Sequence, residues 1–200
     1  MSVTALINPK ILVSRSAVLA KACPVPQEPG AHAWFFKEVP GNVPTVGCIT
    51  KGDLTLLYVG VSPDEVGKPD SKQTLRKRIT SHYRGNAERS ALRRSLGILL
   101  TGQSNFPLRR VGKGKRMTFT RLGEQWLDEW MEANAFVCWV KHLTPWELED
   151  ELLGTLSLPL NIKGNRDHIF ADKLSQLRKD AIRQARNMPV ANEGNQPRRM

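Results

Sequence analysis

Apolar positions along the chain repeat with two different periods, and each change of period marks an element. His32 to Lys37 and Leu54 to Ser62 are short apolar runs, the second rich in Leu, Tyr and Val, and both predict strands. Pro40, Gly41, Pro44, Gly47 and Gly52 lie between them and predict a loop, with a short strand near Val46 to Thr50. From Gln73 to Leu100 the period becomes helical. Leu75, Ile79 and Tyr83 recur at i, i+4 and i+8; after a break at Gly85-Asn86, Leu92, Leu96 and Leu99 continue as a second amphipathic helix. A loop with Pro107, Gly112 and Gly114 then leads to a predicted strand, Met117 to Thr120. Leu122, Trp126 and Trp130 mark a further helix, and Phe136 to Lys141 a further strand. Thr144-Pro145-Trp146-Glu147 reads as a capping box with proline at the first helical position, where its missing N–H is no loss. Leu148, Leu152 and Leu156 form the stripe behind it, and Pro159 stops the helix. Leu174, Leu177, Ala181 and Ala185 define the last helix.

A chain of 200 residues suits one domain. The pattern divides it into an N-terminal extension (1–28), the domain (29–186) and a tail (187–200) that lacks apolar periodicity and is expected to be disordered. Within the extension, Ile11 to Ala22 predicts a short helix and the turn-rich Cys23 to Gly30 a linker. Lys21 stands where a lipoprotein-type cleavage site needs a small residue, and no apolar run approaches the roughly 20 residues that span a bilayer. No membrane partner is expected. Cys23, Cys48 and Cys138 are odd in number and far apart, so they supply neither a disulfide framework nor a CxxC site; a reducing cytoplasm fits them best. Neither a P-loop nor GxGxxG is present, so no use of NTP is expected.

Charge changes the picture more than composition does. Thirty Lys and Arg against nineteen Asp and Glu give a formal charge of +11. Ser71 to Arg116 holds thirteen Lys and Arg and one acid, Glu88, so this quarter of the chain supplies the whole excess. A solvated helix face interleaves its cations with Glu at i+4, and this stretch does not. An anionic membrane surface would feel such a field, but nucleic acid is its commonest partner. Arg76, Lys77, Arg84, Arg93, Arg94, Arg109, Arg110, Lys113, Lys115 and Arg116 are the candidate contacts. Arginine suits bidentate binding of phosphate oxygens. Trp126, Trp130, Trp139 and Trp146 fall at helix or strand periodicity and are assigned to the core, not to base stacking.

Four pieces, in order, carry candidate chemistry. Leu57-Tyr58-Val59-Gly60 ends in a glycine that lets another group approach the backbone closely. The run Leu75 to His82 (LRKRITSH) places Arg78 and His82 at i, i+4 on one helix face. Glu149 lies one residue off an apolar stripe, where it can look into a cleft beside the sheet. Pro159-Leu160-Asn161 follows that helix. Together these residues resemble the GIY-YIG nuclease superfamily. Tyr58 to Gly60 looks like its YIG, and Leu75 to His82 like its arginine helix. Glu149 with Leu152, Leu153 and Pro159-Leu160-Asn161 looks like its metal-binding glutamate helix and terminal asparagine. The resemblance runs from Pro29 to Asn161 and, toward one bacterial branch, on to Ala185.

The resemblance implies an α+β fold: a small, central, mostly antiparallel sheet flanked by helices. It also implies an endonuclease that hydrolyses phosphodiester bonds of DNA with Mg2+ or Mn2+. In that scheme Glu149 holds the metal and Arg78 grips the scissile phosphate and its developing charge. Tyr58 positions or helps deprotonate the attacking water, and His82 accepts a proton or donates to phosphate. Gly60 and Asn161 are structural, Asn161 as a hydrogen bonder to the loop or to the turn of Glu149. One position departs. Family members carry a tyrosine after Gly-Ile or Gly-Val on the opening strand, whereas Pro29-Gly30-Ala31-His32-Ala33-Trp34 places His32 there. A slipped register would make Trp34 or Phe35 its neighbour in space. Histidine can take a proton near neutral pH, so His32 joins the catalytic candidates. Two rival readings stay open: a DNA-binding module of the same fold that has lost catalysis with that tyrosine, and an RNA-directed protein.

Overall fold

A computed structural model describes residues 2–63 and 72–193. In chain order its first elements are α1 (Ser2–Ile7), α2 (Arg15–Leu19), β1 (Gly30–Phe36), β2 (Thr50–Lys51) and β3 (Leu54–Ser62). Then come α3 (Leu75–Arg84), α4 (Ala91–Leu99), α5 (Thr101–Ser104), β4 (Arg109–Val111) and β5 (Arg116–Thr118). The last are α6 (Thr120–Asn134), β6 (Ala135–Lys141), α7 (Pro145–Thr155) and α8 (Ala171–Asn187). Four strands make one antiparallel sheet in the order β2-β3-β1-β6, and β4 with β5 forms a separate hairpin. Helices pack on this sheet, so the fold is the expected α+β type. β4 falls in what the sequence pattern reads as loop; three residues are too few to show a period.

β1 is an inner strand, and all seven of its residues are buried. Trp34 and Phe36 enter one core with Tyr58, Ile79, Tyr83, Leu92 and Leu96. Ala31, Ala33 and Phe35 enter the other with Val59, Val61, Leu148 and Leu152. A one-residue slip would exchange indole for methyl on both faces, so the register is fixed. It pairs His32 with Gly60 and Trp34 with Tyr58, which removes the slipped alternative.

The outer edge of β3 is what makes room for a site. β2 pairs only with Leu54 and Thr55, and beyond them no described strand flanks β3 on that side. A bulge at Leu57 interrupts the ladder between Trp34 and Phe35, and the Leu57 carbonyl accepts the Leu160 N–H at 3.1 Å. At the next outward-facing residue the Asn161 amide replaces a strand. Val59 N–H donates to Asn161 Oδ1 at 3.0 Å, and Asn161 Nδ2 donates to the Val59 carbonyl at 2.9 Å. Two backbone groups that would be orphaned are thereby satisfied. The asparagine binds β3, not the turn of Glu149.

The first 28 residues pack onto the domain. Leu6, Val18 and Val25 are buried, and Val13 exchanges both backbone hydrogen bonds with Val137 on β6. Arg76 Nε donates to the Val25 carbonyl at 2.6 Å and Nη2 to that of Cys23 at 3.3 Å, fastening the linker to α3. At the other end, the expected tail differs in part. Ala191 N–H donates to the Arg110 carbonyl, and the guanidinium groups of Arg109 and Arg110 donate to the carbonyls of Pro189 and Met188. Residues 188–193 therefore lie along β4; residues 194–200 fall outside the described part. The capping box is also only half made: the Thr144 hydroxyl donates to Glu147 Oε2 at 2.7 Å and caps no backbone N–H. No described helix is long and apolar enough to cross a membrane.

One expected nucleic-acid contact is a core residue. Arg93 is fully buried, with Nη2 2.7 Å from Glu124 Oε2 and Nη1 2.7 Å from Asp128 Oδ1. Its other N–H groups reach the carbonyls of His82, Tyr83 and Glu124. Arg15 closes the cluster from α2, 3.1 Å from Asp128. The physical reason is spacing. Glu124 and Asp128 lie four apart on α6, flanking buried Leu127, and present two carboxylates to one guanidinium fork.

Candidate active site

A cleft of about 480 Å³ opens beside the uncovered edge of β3. Tyr58 and Gly60 of β3, Arg78 of α3, Glu149 of α7 and Asn161 beyond α7 line it. Periodicity delivers the two charged groups. Leu75 and Ile79 turn one face of α3 into the core, and Leu148 and Leu152 do so for α7; Arg78 and Glu149 then fall on half-buried flanks that meet at β3. Three of the five residues expected to do chemistry thus share the cleft. A larger groove of about 720 Å³ lies at the opposite edge of the sheet, where Ile11, Val13, Cys138 and Trp139 make it mainly apolar. The charged candidates converge on the smaller cleft and not on this groove.

The other two, His32 and His82, are fully buried and do not line the cleft. With Tyr58 they form a triangle of rings, with centroids 5.4 Å (His32–His82), 6.0 Å (Tyr58–His82) and 6.4 Å (His32–Tyr58) apart. Gly60 is needed because of His32: a Cβ there would sit 2.7 Å from His32 Cε1 and 3.1 Å from Nε2. What approaches the glycine is this ring. Trp34 Nε1–H donates to His32 Nδ1 at 2.8 Å. An indole only donates, so the Nδ1 lone pair is occupied and the neutral ring carries its proton on Nε2. Burial, and secondarily the Arg78 charge, lower the His32 pKa to about 3. Both features argue against the expected proton acceptance by His32, because its one free nitrogen is a donor.

His82 Nδ1 lies 2.7 Å from Ser90 Oγ, which also accepts the Arg93 N–H as the N-cap of α4. Burial first, then the charges of His32, Arg78 and Arg93, hold His82 well below the ordinary imidazole value. Enclosed in this way, it cannot touch a phosphate in the cleft. Nε2 of both histidines is buried and lacks a hydrogen-bond partner among the described residues.

The remaining basic candidates divide. Arg76, Arg109 and Arg110 donate to backbone carbonyls, as does Arg94, to Ala87 at 2.9 Å and Glu88 at 3.2 Å. Lys77, Arg84, Lys113, Lys115 and Arg116 are exposed, although Lys77 Nζ also donates to a carbonyl, that of Lys72, at 2.6 Å. Three cations that line the cleft escaped the sequence reading: Lys163, Arg166 and Arg178. Arg178 had a signal, since it lies four residues after buried Leu174 on the packed face of α8. Lys163 and Arg166 had none beyond following Asn161.

Among the described residues Glu149 is the one carboxylate that lines the cleft, and no three His, Cys, Asp or Glu cluster. A single carboxylate fits a hard cation that keeps waters and takes substrate oxygens; it does not fit zinc. No curated protein and no solved structure matches the chain. The profile described as the GIY-YIG catalytic domain matches residues 30–180, a span that holds every cleft residue named above. With three quarters of its length matched, and with YVG strand, arginine helix and glutamate helix meeting at one cleft, this chain belongs to the GIY-YIG catalytic domain family of the nuclease superfamily.

Proposed function

We propose that the protein is an endonuclease that hydrolyses phosphodiester bonds of DNA with a divalent cation, Mg2+ or Mn2+. The observation that carries this reading is the convergence of Tyr58, Arg78 and Glu149 on one cleft at the free edge of β3. Phosphodiester hydrolysis needs an in-line nucleophile and preorganised charge around the phosphate. Arg78 supplies a guanidinium for the non-bridging oxygens, fixed on a helix whose neighbouring positions are buried. Tyr58 is 8% exposed, so its ring is held by the core while it borders the cleft, which suits it to orienting water. Glu149 would hold the cation, which when bound lowers the pKa of water and neutralises phosphate charge. Asn161 keeps the β3 edge straight beside Tyr58 through its two bonds to Val59. His32 and His82, both neutral, pack and hydrogen-bond behind Tyr58 rather than take a proton.

The rival reading, a binding module of the same fold, draws on His32, which stands where the family carries a tyrosine and whose Nδ1 is engaged by Trp34. Supercoiled plasmid, single-stranded DNA and RNA, each with and without Mg2+ or Mn2+, test both. The expected outcome is metal-dependent nicking of plasmid, reduced on the order of a hundredfold or more in Glu149→Gln, with DNA affinity kept. Tight binding of DNA without cleavage under either metal would establish the module instead, and preferential cleavage of RNA would change the substrate.

A further inference from the structure

The cleft holds more positive charge than one phosphate requires. Among the described residues Arg78, Lys163, Arg166 and Arg178 line it against one carboxylate, Glu149. Lys163, Arg166 and Arg178 make no side-chain hydrogen bond or ion pair among the described residues. Their scaffold, however, is built. Asn165 is buried, and its Nδ2 donates to the carbonyls of Leu158 (2.9 Å) and Asn161 (3.3 Å), pinning the loop between Lys163 and Arg166 to the same segment that clamps β3. Gly164 turns that loop with φ +74, and a Cβ there would press on Leu153 at 2.8 Å.

Arg178 is the telling member. It sits half-buried on α8, four residues after Leu174, where an apolar side chain would pack at no electrostatic cost. Burial, and then the Arg94 charge, disfavour its cation, while Tyr58 favours it. A guanidinium held in such a place with no counter-charge among the described residues calls for an anion from the ligand. A volume of about 480 Å³ lies in the range that encloses a ligand of nucleotide size.

We propose that Lys163, Arg166 and Arg178 form a second phosphate seat beside the one at Arg78, so that the cleft grips two consecutive phosphates of one strand. This rests on the nuclease reading and deepens it. Arg178 acts as a positioning residue: a strand held at two phosphates presents the scissile one to Arg78 and Glu149 in a single register.

Calorimetry on the full chain with two probes tests it: thymidine 3′,5′-bisphosphate, which carries two phosphates one nucleoside apart, and thymidine 5′-monophosphate, which carries one. The wild type should bind the bisphosphate about tenfold more tightly, the size of one good charge-assisted contact. Arg178→Gln should bring the two within about twofold while leaving the monophosphate unchanged. Arg166→Gln, at an exposed loop position that folding does not depend on, should reduce the difference by about threefold. Arg78→Gln should weaken both probes. A tenfold preference that persists in both Arg178→Gln and Arg166→Gln would overturn the second seat and leave the nuclease reading standing. Failure of the bisphosphate to bind the wild type would likewise overturn the second seat, whereas the nuclease reading stands or falls with plasmid cleavage.

Discussion

Two arginines stand on the packed faces of two helices, Arg93 on α4 and Arg178 on α8, and their surroundings are opposite. Arg93 is fully enclosed and meets two carboxylates and three carbonyls. Arg178 is half-enclosed and borders Arg94, Tyr58 and an open cleft. Sequence pattern alone puts the first among the nucleic-acid contacts and gives the second no role; the structure places the first in the core and the second at the cleft. Depth in the fold does not distinguish a structural cation from a binding one; the location of its counter-charge does. Arg93 has its anions inside the chain, whereas Arg178 pairs with none among the described residues, which is the ground for the second phosphate seat proposed above.

The largest effect that could break this contrast is on stability. Arg93→Met leaves Glu124 and Asp128 without the charge they were buried against, and loss of one partner in such a cluster costs about 3–5 kcal/mol. Arg178→Met removes a charge with no internal partner and brings an apolar side chain of similar length, so its effect should stay within about 0.5 kcal/mol. Urea unfolding of the two variants measures the difference. Equal destabilisation would mean that Arg178 is a core residue like Arg93.

The histidines behind the cleft extend the same logic to pH. Unfolded histidine titrates near 6.5; folded His32 titrates at about 3, and His82 well below 6.5. Between the folded and unfolded values the unfolded chain binds more protons, so stability rises with pH in that window. It is complete above about pH 6.5 and declines as the pH falls, by about 1.4 kcal/mol per pH unit for His32. Between pH 7.5 and pH 5 His32 alone should then contribute about 2 kcal/mol, with His82 acting in the same direction, and His32→Tyr should remove the His32 share. A stability that is flat across this window would mean that the rings are solvated.

How much of this the chain discloses depends on the range of the interaction. Periodicities of two and 3.6 residues are local, so β1, β3, α3, α4, α6, β6, α7 and α8 could be read where they are. Tyr58, Arg78 and Glu149 could be named because motif order carries them, and their meeting at β3 follows from the fold. What escaped depends on partners distant in sequence. Nothing near Arg93 announces Glu124, 31 residues on. Nothing near Val59 shows that Asn161, 102 residues away, will stand in for a strand. The tautomer of His32 needed the opposite kind of attention. Its partner Trp34 is two residues away on the same strand face, so that bond was within reach of a period-two argument.

A smaller effect concerns catalysis. If His32 were a general base, its loss would lower cleavage by about 10²–10⁴ and the rate would step with its pKa. With Nδ1 occupied by Trp34 and the pKa at about 3, neither should occur. His32→Tyr should cleave plasmid within about threefold of the wild type, with parallel pH–rate profiles from pH 5 to 8. A step near pH 6.5 in the wild type that vanishes in the variant would return the proton to His32.

The smallest effect separates the basic residues that face outward from those that face the chain. Lys113, Lys115 and Arg116 are exposed on the β4–β5 hairpin. Arg109 and Arg110, on the same hairpin, direct Nη2 to the carbonyls of Pro189 and Met188 at 3.0 and 2.7 Å. Both sets contribute positive potential, so both should slow association slightly when neutralised. Only a cation that displaces counterions at a phosphate changes the slope of log affinity against log salt, by about 0.9 per duplex contact. Changing Lys113, Lys115 and Arg116 to Gln together should flatten that slope by about 1 to 3, according to how many reach phosphate. Changing Arg109 and Arg110 to Gln should leave the slope within experimental scatter, while loosening residues 188–193 enough to raise hydrogen exchange at the Ala191 amide, which bonds the Arg110 carbonyl. Binding is measured with Ca2+ in place of Mg2+, so that cleavage does not intervene. Should the slope respond to Arg109 and Arg110 and ignore the hairpin tip, nucleic acid must displace the 188–193 segment to reach them, and these two arginines would join Arg178 on the outward-facing side of the comparison.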